Sequence, residues 1–163
     1  MTQFVFDAAS ESDTDRLGAA LAVVLPPGTT IALNGTLGAG KTRLVQAIAA
    51  ACGIDRQDVV SPTFVLCQQY QGDRTIYHLD AYRLRDDDEF RELGPEEFFE
   101  SDGLTIVEWA DKVADCLPDE RFEIDIEVTG ATARRFTVCV VGNRLEPTME
   151  RLRVQQSPDH WLG

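Results

Sequence analysis

Gly35-Thr36-Leu37-Gly38-Ala39-Gly40-Lys41-Thr42 is the stretch on which the reading of this chain turns. It fits a known pattern: glycine, four residues, then Gly-Lys-Ser or Gly-Lys-Thr, joining a strand to a helix around a phosphate. The chemistry requires that order. Glycines let consecutive backbone N–H groups turn inward, and the helix that follows adds the positive end of its dipole. The lysine reaches the β- and γ-phosphates, and the hydroxyl after it ligates magnesium. The flanks agree. Thr29–Asn34 reads as a short buried strand, and Lys41–Cys52 as a helix closed by Gly53. Leu37, Gly38, Ala39, Gly40, Lys41 and Thr42 are therefore expected to hold phosphates, with Thr42 on the metal.

Outward from this loop the pattern alternates strand and helix. Gln3–Phe6 is a short first strand. Ser10 or Ser12 caps a helix reaching about Leu25, with Leu17, Ala20, Leu21 and Val24 on one face, and Pro26-Pro27-Gly28 ends it. Phe64–Gln71 and Arg74–Leu79 read as two strands joined at Gly72-Asp73. Asp86–Leu93 and Pro95–Glu100 read as short acidic helices, Leu104–Val107 as a buried strand ending at Glu108-Trp109, and Ala110–Cys116 as a helix. Arg121–Val128 alternates apolar and acidic residues, and Phe136, Val138 and Val140 repeat the rhythm, as in an antiparallel pair. The tail from about Gln155 is expected to be poorly ordered, which leaves one domain over residues 1–154. The expected fold is α/β: a P-loop NTPase-like three-layer sandwich around a mixed sheet, parallel in its first half and antiparallel in its second.

At 163 residues the chain has the length of one domain, and 44% apolar with 26% charged residues excludes a disordered chain. A net charge of −13 repels nucleic acid and anionic lipid, so any service to RNA is expected to pass through another protein. No apolar run approaches a membrane span, and the N-terminus carries no basic leader, so a cytoplasmic protein is expected. Four cysteines without a close pair speak against zinc or disulfides and suit a reducing compartment.

A phosphate site that hydrolyses needs a further carboxylate at a neighbouring strand end. Asp80 and Glu108 both qualify. The strand before Glu108 is the more apolar, which suits a place beside the loop's own strand. Either acid could hold the metal while the other orients or deprotonates the attacking water. Ser61-Pro62-Thr63 reads by itself as an ordinary turn offering a hydroxyl, with a loop that senses the γ-phosphate as the other reading. His78 reads as a packed or hydrogen-bonded histidine, Asp86-Asp87-Asp88-Glu89 as a solvated helix start, and Trp109 as core or as a wall beside the site. No Asn-Lys-x-Asp run is present to read guanine, which leaves adenine by elimination.

Four segments together carry a resemblance: Leu37–Thr42, Ser61-Pro62-Thr63-Phe64, His78-Leu79-Asp80-Ala81-Tyr82-Arg83 and Val107-Glu108-Trp109. In this order and spacing the chain resembles the TsaE (YjeE) family of small bacterial ATPases, over about residues 5 to 141. The resemblance implies an ATP- and magnesium-dependent hydrolase. Its role would lie in making threonylcarbamoyladenosine beside the anticodon of tRNAs that read codons beginning with A. TsaD, paired with TsaB, would perform the transfer and hold the tRNA, and this chain would support their turnover. By position, Lys41 and the loop amides would bind phosphates, Thr42 and Glu108 magnesium, and Asp80 would serve hydrolysis. Thr63 falls in the family's switch-like segment, Ser10 and Thr14 in a segment near the base, and Arg134 where a basic residue approaches the nucleotide. One departure stands out: Thr36 replaces the acid with which the family's loop usually continues after its first glycine. The switch idea is that ATP orders Ser61–Phe64 and so changes the surface offered to the partner. Two other readings stay open, a small-molecule kinase with a lid of Arg83, Arg85 and Arg91, and a module that binds nucleotide without cleaving it.

Overall fold

The computed structural model describes residues 3–60 and 67–156. Seven strands form one sheet: β1 (Gln3–Ala8), β2 (Thr30–Gly35), β3 (Cys67–Gln71), β4 (Thr75–Asp80), β5 (Leu104–Glu108), β6 (Arg121–Val128) and β7 (Arg134–Val141). Their spatial order is β1-β7-β6-β2-β5-β4-β3. The four central strands β6, β2, β5 and β4 run parallel. Antiparallel strands close both edges, β7 and β1 on one side and β3 on the other. The sheet is thus mixed, as expected, but antiparallel pairing flanks the parallel centre instead of filling a second half.

The helices are α1 (Glu11–Val24), α2 (Lys41–Ala51), α3 (Asp87–Arg91), α4 (Glu96–Phe99) and α5 (Glu146–Gln155). Strand alternation divides the apolar residues between two cores. Ile31 and Leu33 of β2, with Leu104 and Ile106 of β5, pack against Leu17, Leu21, Leu44 and Ile48 of α1 and α2. Ala32, Leu79 and Val107 point the other way, toward Leu84, Phe90 and Val113. Two cores on two faces make three layers. Strand β5 is buried along its whole length and lies directly beside β2, where its apolar sequence put it.

Several expectations need correction. Gln71 pairs with Thr75, so the β3–β4 connection is the three residues Gly72, Asp73 and Arg74. Ala110–Cys116 is helical over the expected residues, but as two 3-10 turns broken at Val113 (φ −128°, ψ 30°). Helix α5 was not expected at all, and it buries Met149 and Leu152 against the first core. Of the two serines expected at the start of α1, Ser10 is the cap, as one of the two readings had it, accepting from the Asp13 N–H at 3.4 Å. The start of the expected strand at Phe64 and residues 157–163 of the tail lie outside the described residues. Among the described residues no helix is long and apolar enough to cross a membrane.

Candidate active site at the phosphate loop

The loop leaves the end of β2 and enters α2 through two glycines with left-handed backbone, Gly38 (φ 79°) and Gly40 (φ 109°). Gly40 caps α2 but has no side chain to accept from its first amides, a role that an anion can fill. Lys41 is only 5% exposed. Its Nζ donates to the carbonyls of Gly35 (2.8 Å) and Thr36 (2.9 Å) and lies 4.0 Å from the centre of the Trp109 ring. Burial pulls the ammonium below the usual lysine range, against the pull of Glu108, Asp80 and Asp111. Because the Thr36 contact uses its carbonyl, the threonine found there leaves it intact. Arg134 braces the loop from β7: its Nε donates to the Ala39 carbonyl at 2.8 Å.

Two acids stand at the ends of adjacent parallel strands, for the register sets Asp80 opposite Glu108. Glu108 is 2% exposed, and the Thr42 hydroxyl donates to its Oε2 at 3.1 Å. The same oxygen meets Nε2 of His78. Asp80 accepts the Tyr82 N–H at 2.9 Å. Burial, then the charge of Glu108, raises the Asp80 carboxyl above the ordinary range, while the Tyr82 N–H, His78 and Lys41 oppose the rise. Between loop and acids lies a cavity of about 380 Å³, lined by Lys41, Thr42, Asp80, Arg83, Glu108 and Trp109, among others. Trp109 is thus a wall of the site; its ring packs 4.9 Å from that of Tyr82, and its backbone is left-handed (φ 57°).

No group of three or more His, Cys, Asp or Glu side chains that could hold a metal by itself exists among the described residues. What is present is one hydroxyl, on Thr42, facing one buried carboxylate, on Glu108. That donor set suits a hard cation that keeps waters and takes its remaining oxygens from phosphate, as magnesium does.

The other expected residues scatter. Thr14 is buried and lines a second cavity of about 190 Å³ on the far side of Gly40, with Arg43 and Arg134. Ser10 instead spends its side chain on the α1 cap. Thr63, with Ser61–Phe64, lies outside the described residues. Of the three lid arginines only Arg83 lines the cavity beside Lys41; Arg85 and Arg91 pair at the surface with Glu89 and Asp88 of α3. Asp86 caps that helix by accepting the Glu89 N–H at 3.0 Å. Sequence reasoning gave no site role to Tyr70, whose hydroxyl lies 3.1 Å from His78 Nδ1. The only local signal was the alternation that puts Tyr70 and His78 on inward positions of β3 and β4.

Comparison with known proteins gives the family and the fold. The family described as "Threonylcarbamoyl adenosine biosynthesis protein TsaE" matches residues 8–136. The tRNA threonylcarbamoyladenosine biosynthesis protein TsaE of Bacillus subtilis is 37% identical over 153 residues, covering 93% of this chain and 95% of its own. That of Treponema pallidum is 36% identical, covering 79% of this chain and 95% of its own. The crystal structure of the Bacillus YdiB protein superposes with a TM-score of 0.80 at 30% identity, covering 96% of this chain and 97% of that one. With the family's pattern matched over residues 8–136 and a P-loop NTPase-like fold shared with YdiB, this chain belongs to the TsaE family.

Proposed function

We propose that this chain is a magnesium-dependent ATPase that serves tRNA threonylcarbamoyladenosine biosynthesis as an accessory to a TsaB–TsaD pair. The observation that carries the reading is the meeting of Thr42 and Glu108 beside Lys41, at the mouth of the phosphate loop.

The loop amides from Leu37 to Thr42 bind the phosphate chain, and Lys41 exchanges its two carbonyl partners for phosphate oxygens. Thr42 and Glu108 would hold magnesium, which when bound neutralises charge on the β- and γ-phosphates. Water attacks the γ-phosphorus as the bond to the bridging oxygen breaks, giving ADP and phosphate. Asp80 lies at the next strand end, and its raised carboxyl is suited to accept the proton that water loses. Trp109 covers Lys41 and keeps bulk water from it. The second cavity, beside Thr14 and Arg134, is the place for the nucleoside end. Negative charge over the surface fits a protein that leaves the tRNA to its partner.

The test measures phosphate release from ATP by the full chain, alone and with TsaB–TsaD. Release to water that needs magnesium and is lost in Asp80→Ala supports the reading. Transfer of the phosphate to a metabolite would support the kinase, and nucleotide binding without release would support a binding module. Equal affinity of the partner pair for the ATP-bound, ADP-bound and empty chain would remove any nucleotide switch.

A further inference from the structure

Glu108 is almost wholly buried at the end of β5, on the face of the sheet that also carries Leu104 and Ile106. A carboxylate there needs donors for its lone pairs. Besides Thr42 it has His78, which is fully buried on the adjacent strand β4 and whose Nε2 meets Glu108 Oε2. Register places His78 opposite Ile106, one step diagonal from Glu108 on the same face. An ionised carboxylate only accepts, so the proton of this contact belongs to Nε2. The ring is held from behind: Nδ1 is 3.1 Å from the Tyr70 hydroxyl on β3. That hydroxyl lies in turn 2.9 Å from Gln68 Oε1 and 3.4 Å from the Val60 carbonyl. Three neighbouring strands thus contribute Tyr70, His78 and Glu108 to one buried line that ends at Thr42.

We infer that His78, steadied by Tyr70, is the positioning residue of Glu108, fixing the carboxylate in the orientation that faces Thr42. The inference rests on the magnesium site proposed above. A histidine that merely fills the core would touch stability alone. A positioning histidine sets metal affinity, because a carboxylate without its donor can turn away from the metal. Partners of this kind are worth about 10–100-fold in metal affinity.

The test titrates manganese, as a paramagnetic stand-in for magnesium, into the full chain loaded with a non-hydrolysable ATP analogue, and follows free manganese by electron paramagnetic resonance. A parallel titration measures binding of the same analogue in chelator. His78→Phe keeps the volume and removes the donor; it is expected to weaken manganese binding about ten-fold or more, with analogue affinity in chelator unchanged within about two-fold. His78→Gln, which restores an N–H donor, is expected to recover most of the loss, and Tyr70→Phe to lose about two- to five-fold. A folded His78→Phe with the parent's manganese affinity overturns the inference. So does a loss matched in chelator, which would mark a general structural defect. Should His78→Phe fail to fold, Tyr70→Phe, which removes only a hydroxyl, decides the matter, and an unshifted manganese affinity there overturns it. A parent chain that binds no manganese with the analogue ends the functional reading itself, a result distinct from a parent that binds and variants that do not differ.

Discussion

Asp80 carries its charge at a cost, since burial and the neighbouring Glu108 both raise its carboxyl. An acid raised in the folded state above its unfolded value destabilises the fold once ionised. The penalty is absent below the unfolded value and grows as pH rises through the folded one. Asp80→Asn removes the charge and leaves an oxygen for the Tyr82 N–H. Its melting temperature is predicted to exceed the parent's by about 1–3 °C near pH 7, with the gap closing toward about pH 4, while hydrolysis falls by about 100-fold or more. Calorimetry over that range checks the sign, and a variant less stable at neutral pH contradicts it. At this scale the sequence was most legible where chemistry is local. Lys41, Thr42, Asp80 and Glu108 stand in short runs whose spacing carries their meaning. Tyr70 was not legible, because its meeting with His78 depends on which strands pair and in what register. Arg134 is close to the loop, as its position suggested, yet its Nε bond goes to the Ala39 carbonyl.

Helix α1 packs on α2 so closely at Gly18 that an added Cβ would sit 2.4 Å from the Ala47 Cβ and 2.8 Å from the Ala47 carbonyl carbon. Both obstacles belong to the helix that begins the phosphate site, and a backbone atom cannot give way cheaply. Gly18→Ala is predicted to cost about 1–3 kcal/mol, read as a lower urea midpoint at unchanged slope. An unchanged midpoint would mean that the helices separate without penalty. Elements with strong periodicity were readable: α1, α2, β5 and β6 lie within a residue or so of where their patterns put them, and β7 begins two residues before the first of its alternating apolar residues, Phe136. Helix α5 was not, because Met149 and Leu152 are the only large apolar residues that it buries, one turn of pattern in a polar stretch. The break at Val113 also left no mark, since alanine, valine and acidic residues suit a helix as well as two 3-10 turns. A single Gly-Asp pair similarly could not show that Arg74 would join the hairpin turn.

Taken whole, the molecule places β2, β4 and β5 in parallel, so that loop, Asp80 and Glu108 gather at one end of the sheet. The α/β class and the three layers followed from alternation of strand and helix. The hairpin of β3 and β4 and the antiparallel pair of β6 and β7 were also legible, but their places on opposite sides of the parallel centre were not, because strand order lies beyond local pattern. The charge of −13 has a consequence of its own: tRNA is predicted not to bind the isolated chain at about 0.15 M salt. Fluorescence polarisation with labelled tRNA measures this, and tight binding without a partner would contradict it. All of this chemistry depends on the loop and Lys41 gripping a nucleoside triphosphate. Calorimetric titration of ATP with magnesium into the parent and into Lys41→Ala measures that grip. One site in the parent and at least about ten-fold weaker binding in the variant are expected; no heat of binding in the parent, or equal affinity in both, would refute it.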